Sequence, residues 1–316
     1  MRRAGWLDFL LRRRQQSPAP ALPKEPLRIG LALGGGFARG ISHAGVLKVF
    51  DENHIPIHAI AGVSAGAIVA AAYASGTNPA EIARIGCSMR FTDVARWTIC
   101  RMGFVGSERM EKFLRRLLQV FRFEDMKVPL GVVATDLSTG EPVLFRDTGD
   151  VNLPIRASCS YPGLFQPVRI GDLLMVDGAM SMEVPALVAR RLGATRVISV
   201  HLPMQGPATP PSNVFQVVNR SFQIMQRHME DGWRRMSDMV IVPEVQGVQW
   251  DEFSSAVSLI ESGEKAARAV LPEIRAWLNM EKLAAAPPAL PPPALPMPTN
   301  GDGRGYHQED CTLKKS

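Results

Sequence analysis

The stretch HAIAGVSAGAIVAAAYASG, residues 58–76, decides the fold. Its first half is a short apolar run of strand length and its second an alanine-rich run of helical length. The joint between them is Gly62-Val63-Ser64-Ala65-Gly66. A strand that turns directly into a helix is the repeating unit of an α/β sheet. A hydroxyl wedged between small residues at such a joint is poor packing material. Two readings follow. One is a tight glycine-rich turn of the kind α/β folds use freely. The other is a nucleophile elbow, whose small flanking residues let the backbone turn sharply and lift Ser64 above the sheet edge. There the free N–H groups of the helix N-terminus favour developing negative charge.

The same alternation extends to both sides. LRIGLAL (27–33), VPLGVVAT (128–135), RVISVHL (196–202) and DMVIVPEV (238–245) read as buried strands, and VRIGDLLMVD (168–177) as a hairpin about Gly171-Asp172. GISHAGVLKVFDEN (40–53) and SERMEKFLRRLLQVF (107–121) read as helices. Apolar strands alternating with helices predict a three-layer α/β/α domain with a mainly parallel central sheet covered on both faces. A long helix over 213–236 carries Val214, Val218, Phe222, Met225, Met229 and Trp233 at helical spacing. Such a stripe is core, or less commonly the lining of an acyl-binding site.

Of the 316 residues, 46% are apolar and 21% charged, ordinary for a chain with a sizeable core. The net charge of +6 gathers in MRRAGWLDFLLRRR (1–14), with five arginines against one aspartate. The near-neutral remainder argues against a nucleic-acid-binding body. Cys87, Cys100, Cys159 and Cys311 show no CxxC spacing, so free thiols in a reducing, cytoplasmic compartment are expected. The apolar run Trp6 to Leu11 is interrupted by Asp8 and followed by arginines, a poor signal peptide. No run reaches the ~18 apolar residues of a spanning helix. If helical, residues 1–14 would set Trp6, Leu7, Leu10 and Leu11 on one side between arginines. The expectation is peripheral contact with the inner membrane surface, with a solvated tail as the alternative. SPAPALPKEP (17–26) reads as a linker and 281–316 as a Pro/Gly-rich disordered tail, leaving a folded domain at 27–280.

A nucleophile needs a base and a site for the oxyanion. LALGGGFARG (31–40) ends a strand in Gly34-Gly35-Gly36, whose unshielded backbone N–H groups suit an oxyanion or a phosphate. A dinucleotide-binding turn, with Asp51 or Glu52 on a ribose, would need glycine where Arg39 stands. For the base, Asp177 closes the run LLMV and is followed by Gly178-Ala179, which places it at a strand end. The order Ser64…Asp177…His201 would also satisfy a hydrolase triad. His54 and His58 flank Pro56, which spoils a helical ligand pair, so no metal site is read.

Gly34-Gly35-Gly36-x-x-Arg39-Gly40, Gly62-x-Ser64-x-Gly66 and Asp177-Gly178-Ala179, in that order, resemble the patatin-like phospholipase family, closest to its bacterial members with a GxGxxRG loop. GISHAGVLKVFDE after the loop, ATDLSTGEPVLF (134–145) and ASCSYPGLFQPV (157–168) agree with it too, so the resemblance covers about 27 to 245. It implies a Ser64–Asp177 dyad and an oxyanion hole at Gly34, Gly35, Gly36 and Arg39, with Gly40, Gly62, Gly66 and Gly178 supporting the motifs. It also implies lipid carboxylic esters as substrate, hydrolysed through an acyl-enzyme without metal or organic cofactor. It needs no histidine, which leaves His201 structural duties and His43 support of the glycine loop. The alternatives are a Ser64–Asp177–His201 esterase or thioesterase and a non-catalytic regulatory protein that holds phosphate on the loop.

Overall fold

Ile29–Leu33 (β1) and Ala59–Val63 (β2) are buried at every position in the computed structural model, which describes residues 26–100, 103–203 and 210–285. The basic segment 1–14, the linker up to residue 25 and the tail from 286 lie outside the described residues. Burial on both faces is what a parallel strand inside an α/β sandwich requires. The side-chain period of two then sorts each strand between two cores. Leu31, Leu33, Ile60, Ile198 and Val200 enter one; Ala32, Ala61, Val63, Val133 and Val197 enter the other.

Helix α1 (Ser42–Glu52) follows β1, and α2 (Ala65–Ser75) follows β2. Then come α3 (Pro79–Ser88), α4 (Phe91–Val94), the hairpin β3 (Arg96–Cys100) and β4 (Gly103–Gly106), and α5 (Glu108–Leu117). The next elements are β5 (Leu130–Asp136), β6 (Pro142–Phe145), α6 (Asn152–Ser158), β7 (Val168–Ile170), β8 (Leu173–Asp177), α7 (Ala186–Arg191) and β9 (Arg196–Val200). The chain continues through α8 (Val214–Arg234), β10 (Met239–Ile241) and α9 (Ala256–Ala285).

The main sheet runs β10-β9-β1-β2-β5-β8-β7, with β6 also on β5; β3 and β4 form a separate pair. β10, β9, β1, β2 and β5 are parallel, whereas β6, β8 and β7 join antiparallel. Helices α1, α2 and α9 pack on one face; α7 and Trp233 of α8 cover the other.

Several features depart from the sequence reading. Helix α5 stops at Leu117 rather than 121, where the Leu117 carbonyl accepts a hydrogen bond from Thr77 Oγ1 at 2.6 Å and Leu118 turns extended. The stripe on α8 is only partly core: Val214 is 79% exposed, and beside Trp233 the buried residues there are Gln223 and Gln226. The β3–β4 hairpin has no counterpart in that reading. Nor does α9, which runs to Ala285, five residues past the expected domain end at 280. Among the described residues no helix is long and apolar enough to cross a membrane.

Candidate active site

The site is assembled on one edge of β5. Parallel β2 pairs with its first half, ending at Val63↔Val133; antiparallel β8 pairs with its second half, ending at Asp177↔Ala134. Strand β6 overlaps both halves in register and so takes the other edge. The C-terminal ends of β2 and β8 therefore meet head-on over two consecutive residues of β5. Ser64 follows Val63 and Asp177 closes β8, so the register alone sets their side chains next to one another. Ser64 Oγ donates to Asp177 Oδ2 at 2.7 Å, with the two residues 7% and 1% exposed.

Ser64 holds φ 54° and ψ −127°, a conformation that costs an L-residue on the order of 1–3 kcal/mol. The surrounding contacts impose it. A Cβ on Gly62 would lie 2.4 Å from the Gly66 carbonyl oxygen, and one on Gly66 would lie 2.3 Å from that of Leu33. The GxSxG spacing is thus a packing requirement of the turn. Gly40 and Gly178 are equally close, to Ala65 Cβ at 2.5 Å and to the Val133 carbonyl oxygen at 2.2 Å. The Ser64 N–H donates to Ser158 Oγ at 2.8 Å, which fixes the elbow to the end of α6.

Asp177 Oδ1 accepts the Ala179 N–H at 2.9 Å, and Thr135 Oγ1 donates to the Asp177 carbonyl at the same distance. Burial raises the carboxyl to about 7, against the lowering pull of the Ala179 N–H and the Ser64 hydroxyl. Neighbouring groups respond to the same surroundings. Burial and the Asp177 charge push the Cys159 thiol up, and they push the Tyr161 phenol up despite the opposing Arg39 charge.

The glycine loop is tied down more than its sequence suggests. The Gly34 N–H donates to the Val200 carbonyl at 3.1 Å, prolonging the β1–β9 ladder by one residue, and the Gly35 N–H donates to the Glu183 carbonyl at 3.4 Å. The Gly36 N–H has no partner among the described residues. An open cradle of three free N–H groups, as a phosphate would use, is therefore not formed. Arg39 is buried, and burial lowers its guanidinium to about 10. Its backbone N–H and its Nε–H both donate to the Gly36 carbonyl, at 3.1 and 3.3 Å, which orients that peptide. His43 braces the loop from behind: its Nε2–H donates to the Gly34 carbonyl at 2.9 Å, and burial lowers the ring to about 4, so it stays neutral.

His201 is turned elsewhere. Its Nε2 bonds Glu183 Oε1 at 3.1 Å, and its ring meets that of Trp233 edge-on at 4.9 Å. Trp233 Nε1 donates to the other Glu183 oxygen at 3.2 Å. The two Asp177 oxygens accept from Ser64 and Ala179, so the Asp–His link of a triad is not made. Ser158 and Glu183, which hold the serine and the loop in place, lie outside the candidate site residues of the sequence reading. Ser158 lies in the block ASCSYPGLFQPV, but nothing local marks its hydroxyl as the partner of an amide 94 residues earlier.

Beside Ser64 opens a pocket walled almost wholly by apolar side chains. Ile68 of α2, Ile82 and Ile85 of α3, Met110 and Phe113 of α5, and Phe165 contribute to it.

An uncharacterized NTE family protein of Mycobacterium tuberculosis is 32% identical over 192 residues, 58% of this chain and 53% of that protein. A second from the same organism is 27% identical over 273 residues, 77% of this chain and 46% of that one. Patatin-like phospholipase domain-containing protein 6 of Mus musculus is 33% identical over 189 residues, 56% of this chain and 14% of its own length. The chain thus spans about half the length of the mycobacterial relatives it matches. The family model described as patatin-like phospholipase matches residues 31–190, half of the chain and the part that carries the glycine loop, Ser64 and Asp177, and the chain belongs to the patatin-like phospholipase family.

Proposed function

We propose that the protein is a serine acyl hydrolase of lipid carboxylic esters, of phospholipid or lysophospholipid type, in which Ser64 is the nucleophile and Asp177 its base. The observation that carries this reading is the 2.7 Å contact from the Ser64 hydroxyl to a buried carboxylate at the head of an apolar pocket. Ser64 Oγ attacks the ester carbonyl carbon as its proton passes to Asp177 Oδ2. The oxyanion settles against the Gly36 N–H, and Arg39 steadies that residue through the next peptide by holding the Gly36 carbonyl. Gly34 and Gly35 act by anchoring the loop to β9 and Glu183. Collapse of the tetrahedral intermediate expels the alcohol, which takes the proton from Asp177 and leaves the acyl group on Ser64. Water then attacks the acyl-enzyme, giving its proton to Asp177, and the serine is released with its proton restored.

Burial makes this dyad workable. An ordinary aspartate is a weak base toward an alcohol, whereas a carboxyl raised to about 7 is matched to proton transfer near neutral pH. The apolar pocket takes the acyl chain and excludes water from the reacting carbonyl. The test is covalent labelling of the full chain by a fluorophosphonate. Labelling of the wild type, its loss in Ser64→Ala and a slowing of at least a thousandfold in Asp177→Asn are expected. Absence of labelling in the folded wild type, with and without phospholipid vesicles, overturns the reading.

A further inference from the structure

Helix α3 turns one stripe toward the apolar pocket beside Ser64. Ile82, Ile85, Gly86 and Met89, at a spacing of three and four, all line it. Three of these positions are bulky, and Gly86 is bare. Glycine is the poorest helix former after proline, so its presence in α3 needs a cause. In other helices the cause is a close approach. A Cβ on Gly45, Gly66 or Gly263 would lie 2.1, 2.3 or 2.0 Å from the backbone oxygen of another segment. Gly232 of α8 has no such contact, but it is exposed. Gly86 differs from all of these. A glycine that ends a helix takes a positive φ, and Gly86 does not. A Cβ there would meet only Ile41 among the described residues, at 3.3 Å from Cγ2 and 3.9 Å from Cγ1. Those atoms belong to a side chain that can give way, so the packing does not demand a glycine.

We propose that Gly86 sets the length of acyl chain the protein accepts, by leaving the pocket wall open where a long straight chain crosses α3. The proposal takes its substrate from the hydrolytic reading and its geometry from the pocket alone. The wall from the nucleophile to Gly86 is continuous. Ala65 follows Ser64, and a Cβ on Gly40 would lie 2.5 Å from Ala65 Cβ. Ile41 follows Gly40, and Gly86 faces Ile41. All five residues line the pocket. A short acyl group held at Ser64 therefore ends before Gly86, and a long one lies across it. The side chains around that point, Ile41, Ile82, Ile85 and Met89, are apolar, so each methylene that reaches them gains affinity. A side chain at position 86 would fill the space from the helix side. Long chains would then be lost and short ones kept.

Isothermal titration calorimetry of the full chain with neutral straight-chain alcohols tests this without turnover. The probes are 1-hexanol and 1-decanol, and the proteins are wild type, Gly86→Ala and Gly86→Leu. Wild type should bind 1-decanol at least about tenfold tighter than 1-hexanol, since each buried methylene is worth up to about fourfold. In Gly86→Leu the 1-decanol affinity should fall by about tenfold or more, and the 1-hexanol affinity by less than about threefold. Gly86→Ala should weaken 1-decanol alone, by about threefold, and should melt at a higher temperature than wild type. It carries the test by itself if the leucine variant does not fold. Equal weakening of both probes, weakening of neither, or no binding to wild type overturns the proposal. So does a lower melting temperature in Gly86→Ala, which would return the glycine to packing against Ile41. Fluorophosphonate labelling reads the Ser64 hydroxyl and these titrations read the pocket, so failure of one reading is distinct from failure of the other.

Discussion

Ser64 and Asp177 each sit at a cost to the fold. The serine holds a backbone conformation that L-residues rarely adopt, and the aspartate is buried with no ion-pair partner among the described residues. The Asp177 cost depends on pH. Its carboxyl titrates near 7 in the folded protein and near 3.8 in the unfolded chain, so between these values only the folded state holds the proton. Stability therefore falls as pH rises from about 4 to about 7, by on the order of 4 kcal/mol in all. Asp177→Asn keeps the shape and removes the charge. Urea denaturation should find it more stable than wild type by a few kcal/mol at pH 8, with the difference shrinking as pH falls toward 4. The kcat/KM of the wild type should rise with pH through about 7 as the base ionises. A stability difference that grows on acidification would contradict the ionised, buried carboxylate. Both residues are legible in the sequence because their glycine neighbours record close backbone contacts: Gly62 against Gly66, Gly66 against Leu33, Gly178 against Val133. Ser158 and Glu183 are not, because their roles exist only once distant segments meet.

Among the elements, the least legible is α9, whose pattern of Leu259, Ile260, Leu271, Ile274 and Trp277 is broken by Gly263 and Pro272. A sequence reading takes those residues as stops. Gly263 has a different reason to be there. It faces Gly45 of α1, and the helices touch backbone to backbone: a Cβ on Gly263 would lie 2.0 Å from the Ser42 carbonyl oxygen, and one on Gly45 2.1 Å from that of Ile260. Lys48 seals the crossing on Glu264 at 2.7 Å. Alanine at Gly263 would have to part the helices, at a cost of about 1–3 kcal/mol that exceeds its helix-propensity gain. At Gly232 of α8 an added methyl group would meet nothing within 4 Å, so alanine there should instead stabilise by up to ~1 kcal/mol. Thermal denaturation of the two variants should shift in opposite directions. Helix α8 misleads for the converse reason: the apolar positions are real, but the deepest places between them are taken by Gln223 and Gln226.

At the scale of the whole molecule, the region matched by the family is not a complete folding unit. The match ends at residue 190, yet the sheet takes β9 and β10 from beyond it, and one face is covered by α9. That last helix returns to the start of the fold. The Leu27 N–H donates to Glu281 Oε1 at 2.9 Å, and the Arg196 guanidinium lies 5.5 Å over the Trp277 ring. Leu259, Ile260, Leu271, Ile274 and Trp277 are all buried. At ~1.5–3 kcal/mol per buried apolar side chain they supply on the order of 10 kcal/mol. A domain's net stability is only about 5–15 kcal/mol, so their loss is enough to unfold it. A chain ending at residue 255 should therefore show no cooperative thermal transition. One spanning 26–285 should melt within a few degrees of the full chain, because it keeps every contact described. Differential scanning calorimetry of the three chains decides the point. A cooperative transition in the chain ending at 255 would show that the β-sheet and its first helices fold without α9.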